Sequence, residues 1–424
     1  MSIINPIIKE DKTFFGHPIK MSYLFFINIL QSFSFYGLSY IVVLYISSLI
    51  QENETLNSTN IYYLLYFGTY LFAVIGGLIG DRLIGAKNSL IIGSLIIIIG
   101  WMLFFGFSAS LFYFAFIPIL IGTALIKPNL LKLVGDLYSF DDVRRDFGFL
   151  ITYLSTCLGA VFGFFIVILL TQYNIIFGII SIIIATIIQL YLTVVGVDNT
   201  KINKPNIKTK KINWEFLTIL VTLSSLFFIF YSSVSLTTAL SNTIIKNANT
   251  SYILTYLAQI LSPLFVVGII PIITMIWLFL EKKQPSNFKK VILGIFSIGI
   301  SFLISSLIFI STIDVKVSDI HIDNIGEISL LWIILICIFS NISSILIIPT
   351  SFSIISKYSK NNLTAFWIAI FQSIVPFSLY FYSSFSIKIL ETSIFTSFSL
   401  IGVTLLLLSG VLFKLTSFKK FKEF

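Results

Sequence analysis

Charge is what this sequence has least of. Asp, Glu, Lys and Arg make up 11% of 424 residues, where a soluble globular chain carries about 25%. Histidine and cysteine are scarcer, at two each. His17 and His321 fall in polar stretches, and Cys157 and Cys337 stand singly in apolar runs about 180 residues apart. That pattern excludes a disulfide framework and a cysteine-based metal site. No metal ligand set and no cofactor motif is expected elsewhere, and no nucleophile with a neighbouring base or phosphate loop suggests an enzyme. What abounds is apolar: 57% of residues, with a mean hydropathy of +1.02. At about 20 residues per spanning helix, that suffices for on the order of twelve spans and leaves no sizeable soluble domain. The expected surroundings are a lipid bilayer. A net charge of +9 would suit nucleic acid, but in a membrane chain basic residues first report orientation, so no nucleic-acid partner is expected.

Apolar runs of crossing length lie near 22–49, 61–80, 88–107, 112–134, 147–170, 175–196, 214–241, 253–280, 289–312, 328–350, 362–386 and 392–415. The first is far longer than a signal-peptide core, so it is read as a retained span. Sorting the 27 basic residues by loop tests the count of twelve, because one missed span would scramble the alternation. Twenty-three fall on one side, only Lys246, Lys316 and Lys388 on the other, and Lys127 inside a span. The positive-inside rule then puts both termini in the cytoplasm. The basic stretch DNTKINKPNIKTKKIN divides the chain into an amino-terminal bundle at 1–197, a linker at 198–213 and a carboxy-terminal bundle at 214–424. An all-α polytopic protein of twelve transmembrane helices in two bundles of six is the arrangement of the major facilitator fold, whose halves rock about a midplane site.

All 18 carboxylates can be assigned to loops or span ends, so no buried acid is available for a proton relay. Lys127 is the exception among the cations. It lies about eight residues, or roughly 12 Å, inside the fourth run, where a charge costs about 2.5–3.5 kcal/mol and marks a functional position by default. The bland alternative is a lysine that snorkels or is neutralised by a carbonyl that Pro128 frees. In the first run Asn28, Gln31, Ser32, Tyr36 and Ser39 recur at three- and four-residue spacing, a polar stripe that suits a cavity wall or helix–helix hydrogen bonding. Ser232 belongs to a serine- and threonine-rich seventh run whose reading is evenly split. GGLIGDRLIGAK at 76–87 places Gly77 at the end of the second run, with Asp81 and Arg82 in a short cytoplasmic loop. The glycines permit close packing, and Asp81 can accept from helix N-termini or Arg side chains in one conformation only, which points to gating.

In order along the chain, FFGHPIKMSYLFF, FSFYG, GTYLFAVIGGLIGDRLIGAK, IGTALIKPNLLKLVGDLY, VRRDFGFLITYLSTCLGA, and SPLF with EKKQPS resemble the proton-dependent oligopeptide transporter family. The resemblance implies that Tyr70, Lys127, Tyr153, Gln259 and Trp367 are cavity positions. It also exposes a departure. The family's ExxERFxYYGxR motif reads Asn28, Gln31, Ser32, Phe35, Tyr36, Gly37 and Ser39 here, and the acids of its seventh and tenth spans fall on Ser232 and Ser344. Cys157 and Ser262 replace asparagines. Asn, Gln and Ser cannot titrate, so ordinary proton coupling is lost.

The expected function is therefore a secondary active or facilitative transporter, a monomer in a bacterial inner membrane. It moves a small polar solute, carboxylate-bearing and peptide-like or siderophore-like, with Lys127 as the anion contact. Its route is left open between facilitated diffusion, exchange and coupling through Lys127. The alternatives are a di- or tripeptide–proton symporter and a non-transporting receptor or relic. The richness in Ile, Lys, Asn and Phe suggests the AT-rich bacterial source.

Overall fold

Apolar runs in lipid must bond their own backbone N–H and C=O groups, and in the computed structural model they do so as helices. It describes residues 13–50, 58–104, 109–198, 252–280, 284–308, 330–374, 378 and 394–415. Among these are α1 (Lys20–Ile50), α2 (Ser58–Arg82), α3 (Ala86–Phe104), α4 (Ala109–Asp136), α5 (Arg145–Tyr173) and α6 (Ile175–Gly196). There follow α7 (Tyr252–Leu280), α8 (Asn287–Ile308), α9 (Leu330–Tyr358), α10 (Thr364–Ile374) and α11 (Ile394–Leu415). Each falls on a predicted run. The seventh run, with Ser232, lies outside the described residues, and so does the linker apart from Asp198. Seven of the described helices carry a segment long and apolar enough to cross a membrane.

The largest boundary difference is α9, expected to end near 350 and continuing to Tyr358. Its added turns are not membrane-facing. Ser351, Ser353 and Ser356 are buried, and Ser356 accepts from Arg145 of α5. A second difference concerns Asp81 and Arg82, which form the last turn of α2 and not a loop.

Small residues set the packing within the first six helices. The backbones of α3 and α4 approach at Gly93 and Gly122, where an added Cβ would sit 2.7 and 2.5 Å from the opposite glycine's carbonyl oxygen. On α5, a Cβ at Gly159 would sit 2.4 Å from Ile29 O of α1. Close approach through glycine is how lipid-embedded helices gain dispersion energy without a hydrophobic drive. α8 packs on α9 and α11, while α5 meets α7 and α9, bringing the earlier and later helices together. Prolines interrupt α4, α7 and α9 at Pro128, Pro263 and Pro349, all at the level where these helices surround a cavity.

A short hairpin precedes α1. Thr13–Phe14 pairs antiparallel with His17–Pro18 through a two-residue turn with positive φ at Phe15 and Gly16, the geometry that matches strand twist.

Candidate functional site: a central cavity with one lysine

A cavity of about 250 Å³ lies between the earlier and later helices. Successive turns of α1 contribute Asn28, Gln31, Ser32, Phe35 and Tyr36, and α2 contributes Tyr70. α4 supplies Lys127 and Leu131, and α5 supplies Thr152, Tyr153, Thr156 and Cys157. The later helices close it with Ser262 and Pro263 of α7, Pro349 and Phe352 of α9, and Gln372 of α10. No carboxylate is among the described residues lining it.

The Lys127 ammonium stands 3.2 Å from the centroid of the Phe35 ring and 4.8 Å from that of Tyr70. Its neighbours are thus ring faces and not the proline-freed carbonyl considered from the sequence. A desolvated cation–π contact gives about 2 kcal/mol, whereas removing an ammonium from water costs several kcal/mol after relaxation. The rings offset part of the cost, and an anion would offset the remainder.

Asn28 is pinned. Its Nδ2 is 2.8 Å from Thr152 O, 2.7 Å from Ser155 Oγ and 2.8 Å from Thr156 Oγ1, so it ties α1 to α5 while edging the cavity. Both readings of the polar stripe apply to this residue. Gln31 is 2% exposed, and its Oε1 and that of Gln372 have no hydrogen-bond partner among the described residues. Ser262 donates to Asn341 Oδ1 at 2.9 Å.

Of the residues singled out from the sequence, Asn28, Gln31, Ser32, Tyr36, Tyr70, Lys127, Tyr153 and Cys157 line this cavity together. Three do not. Ser39 is buried and donates to Phe35 O one turn back, satisfying itself within α1. Ser344 likewise donates to Ser340 O within α9. Trp367 turns away, its ring 5.2 Å from Phe366, and packs on the apolar core. Gln259 lies on α7, but its side chain is outside the described residues, as is all of Ser232. Phe35, Thr152, Thr156 and Gln372 are additions. Phe35 is four residues after Gln31, so the stripe's own spacing marks its face; nothing local marks Gln372.

At the end carrying most basic residues, two sets of contacts join the earlier and later helices. Asp81 Oδ1 accepts from Lys132 at 2.6 Å, and Oδ2 accepts the backbone N–H of Phe366 at 2.9 Å, in the first turn of α10. A carboxylate there satisfies orphan donors and meets the positive end of the helix dipole. The fit depends on Gly77, where a Cβ would lie 2.8 Å from Ala365 O. Arg82 is exposed and outside this contact. In the second set, Asp146 accepts from Ser353 of α9 and from Asn287 of α8, and Lys290 lies 3.6 Å away.

The hairpin docks at the same end. His17 Nδ1 lies 2.8 Å from the Tyr138 hydroxyl, and Arg144 donates to Gly16 O at 3.1 Å. Burial lowers the His17 pKa and Arg144 lowers it further, against an opposing pull from Asp142. Burial raises the Tyr138 pKa well above the usual phenol range.

The sequence profile of the Major Facilitator Superfamily matches residues 24–379. An uncharacterised transporter, YclF, of Bacillus subtilis is 35% identical over 161 residues, which is 36% of this chain and 32% of that one. A di-/tripeptide transporter of Lactococcus lactis is 34% identical over 163 residues, 36% of this chain and 32% of that one. The aligned stretches thus span about a third of these relatives' length. Among solved structures, a POT family transporter in complex with 5-aminolevulinic acid superposes with a TM-score of 0.65 at 20% identity, covering 95% of this chain and 97% of that one. A peptide transporter POT in complex with sulfate gives 0.64 at 19% identity, covering 96% of each.

Proposed function

The chain belongs to the major facilitator superfamily, and from that premise we propose that it is a member of the oligopeptide-transporter branch, which its likeness to peptide transporters supports, and an alternating-access transporter of a small carboxylate-bearing organic solute. The observation that carries this reading is the Lys127 ammonium in a cavity whose described lining holds no acid. The solute carboxylate meets Lys127, and the amides and hydroxyls of Asn28, Gln31, Ser262 and Gln372 take its remaining polar groups.

Residues 1–197 and 214–424 move as two bodies about the linker, in a monomer of the bacterial inner membrane with both termini in the cytoplasm. The contacts of Asp81 and Asp146 hold the basic end shut while the solute site communicates with the other side. Breaking them opens the cytoplasmic side.

No acid is among the described residues lining the cavity, which speaks against proton coupling through a cavity carboxylate. The solute is peptide-like or a siderophore-like polycarboxylate. The first of these is favoured by a specific observation, since two of the relatives are named as transporters of di- and tripeptides or of peptides. Proteoliposomes separate the readings. Saturable uptake of a labelled probe, either dialanine or citrate, that Lys127→Ala abolishes supports the carboxylate contact; unchanged uptake by that variant contradicts it. Competition by dialanine against citrate, or the reverse, ranks the two classes.

A further inference from the structure

Among the described residues lining the cavity Lys127 carries the one fixed charge, and the effect of that charge on the transport cycle rests on the binding role proposed above for it. None of the chain's 18 carboxylates falls in the interior of an apolar run. Among the described residues, no hydrogen bond or ion pair reaches Lys127 Nζ, which faces Phe35 and Tyr70. Alternating access passes through an occluded state, closed to both sides. While the cavity is open, water hydrates the ammonium. On occlusion that water is expelled, and ring faces replace it only in part. A bound anion supplies the missing partner and travels with it.

We infer that Lys127 makes reorientation conditional on a bound anion, so that the chain exchanges solute for solute instead of carrying it one way. The empty carrier is held on one side by the cost of burying its cation. The loaded carrier, its ammonium paired with the solute's carboxylate, passes. Gln31 offers a means of testing this from within. It lines the same cavity and its buried Oε1 has no partner among the described residues, so a carboxylate at this position would give Lys127 a counter-charge built into the chain.

The test reads reorientation directly and needs no known substrate. The basic end is closed here, with the Phe140 and Tyr358 rings 5.8 Å apart, and Val143 and Lys360 are exposed beside them. Donor and acceptor dyes on Val143→Cys and Lys360→Cys, in the full chain with Cys337→Ala and the buried Cys157 of the cavity wall left in place, report opening by single-molecule energy transfer in lipid nanodiscs. Without solute, Lys127→Gln and Gln31→Glu should each interconvert about tenfold or more faster than the parent. If neither is faster, the inference is overturned. If Lys127→Gln alone is faster, looser packing at that position explains it, and the inference is again overturned. Dialanine and citrate are then added to the parent. Acceleration by either supports both the exchange mode and the carboxylate reading. Fast variants with no acceleration by either probe leave the conditional step standing and count against the carboxylate reading instead.

Discussion

At the scale of single residues, Lys127 and Gln31 divide the account between charge and its absence. Spacing and depth alone made Lys127 legible, because an ammonium roughly 12 Å inside an apolar run is costly enough to need a reason. Its surroundings were not legible, since Phe35 and Tyr70 reach it from two other helices. Ser39 and Ser344 show the opposite limit. Both occupy positions that periodicity or resemblance assigns to a cavity, yet a serine hydroxyl bonds its own helix one turn back at little cost, and no sequence pattern shows which choice it makes. His17 supports a pH prediction. Its folded pKa is depressed, so the docked hairpin prefers neutral histidine. Docking is strongest above the undocked value of about 6.5 and weakens as pH falls from there toward the folded pKa. The protection factors of the amides of residues 13–17, which correct for the slowing of intrinsic base-catalysed exchange, should therefore fall between pH 7.5 and 5.5. In His17→Phe, which keeps a ring but cannot protonate, that loss of protection should vanish.

At the scale of elements, α1 against α5 is the pairing most exposed to test. It combines the close approach at Gly159 with the amide of Asn28. Interhelical hydrogen bonds in membranes average about 0.6 kcal/mol and reach about 1.7, so Asn28→Ala should lower stability in a reversible unfolding titration by about 1 kcal/mol. Gly159→Leu should cost more, because the carbonyl of Ile29 is backbone and cannot step aside. The contact between α2 and α10 carries a different prediction. Asp81→Asn removes the charge that Lys132 and the first turn of α10 share. A loss of about 1–2 kcal/mol shifts the balance toward an open basic end by a factor of about 5–30, readable in the same energy-transfer pair. Gly77→Val should do the same by steric means. Helix positions were well given by the apolar runs, since composition alone determines what stays out of water. The overrun of α9 was missed because its last turns are covered by protein and carry serines instead of apolar residues.

At the scale of the whole molecule, the class of fold followed from composition and from the two-sided sorting of basic residues, both of which integrate over the full chain. The cavity is a product of that fold and was only half legible. Its α1 wall repeats at helical spacing and its α5 wall was reached by resemblance, whereas Gln372 enters from α10, far along the chain, with no local signal. The central claim is that a cavity with no acid among its described lining residues uses Lys127 to hold a solute's carboxylate. The most direct measurement is thermal stabilisation of the purified chain by dialanine, citrate and dialanine amide, which keeps the amino terminus but lacks the carboxylate, on the parent and on Lys127→Ala. The account predicts a shift with at least one carboxylate-bearing probe, none with the amide, and no shift for any probe in the variant. A shift of equal size for the amide, or one that survives in Lys127→Ala, would contradict it.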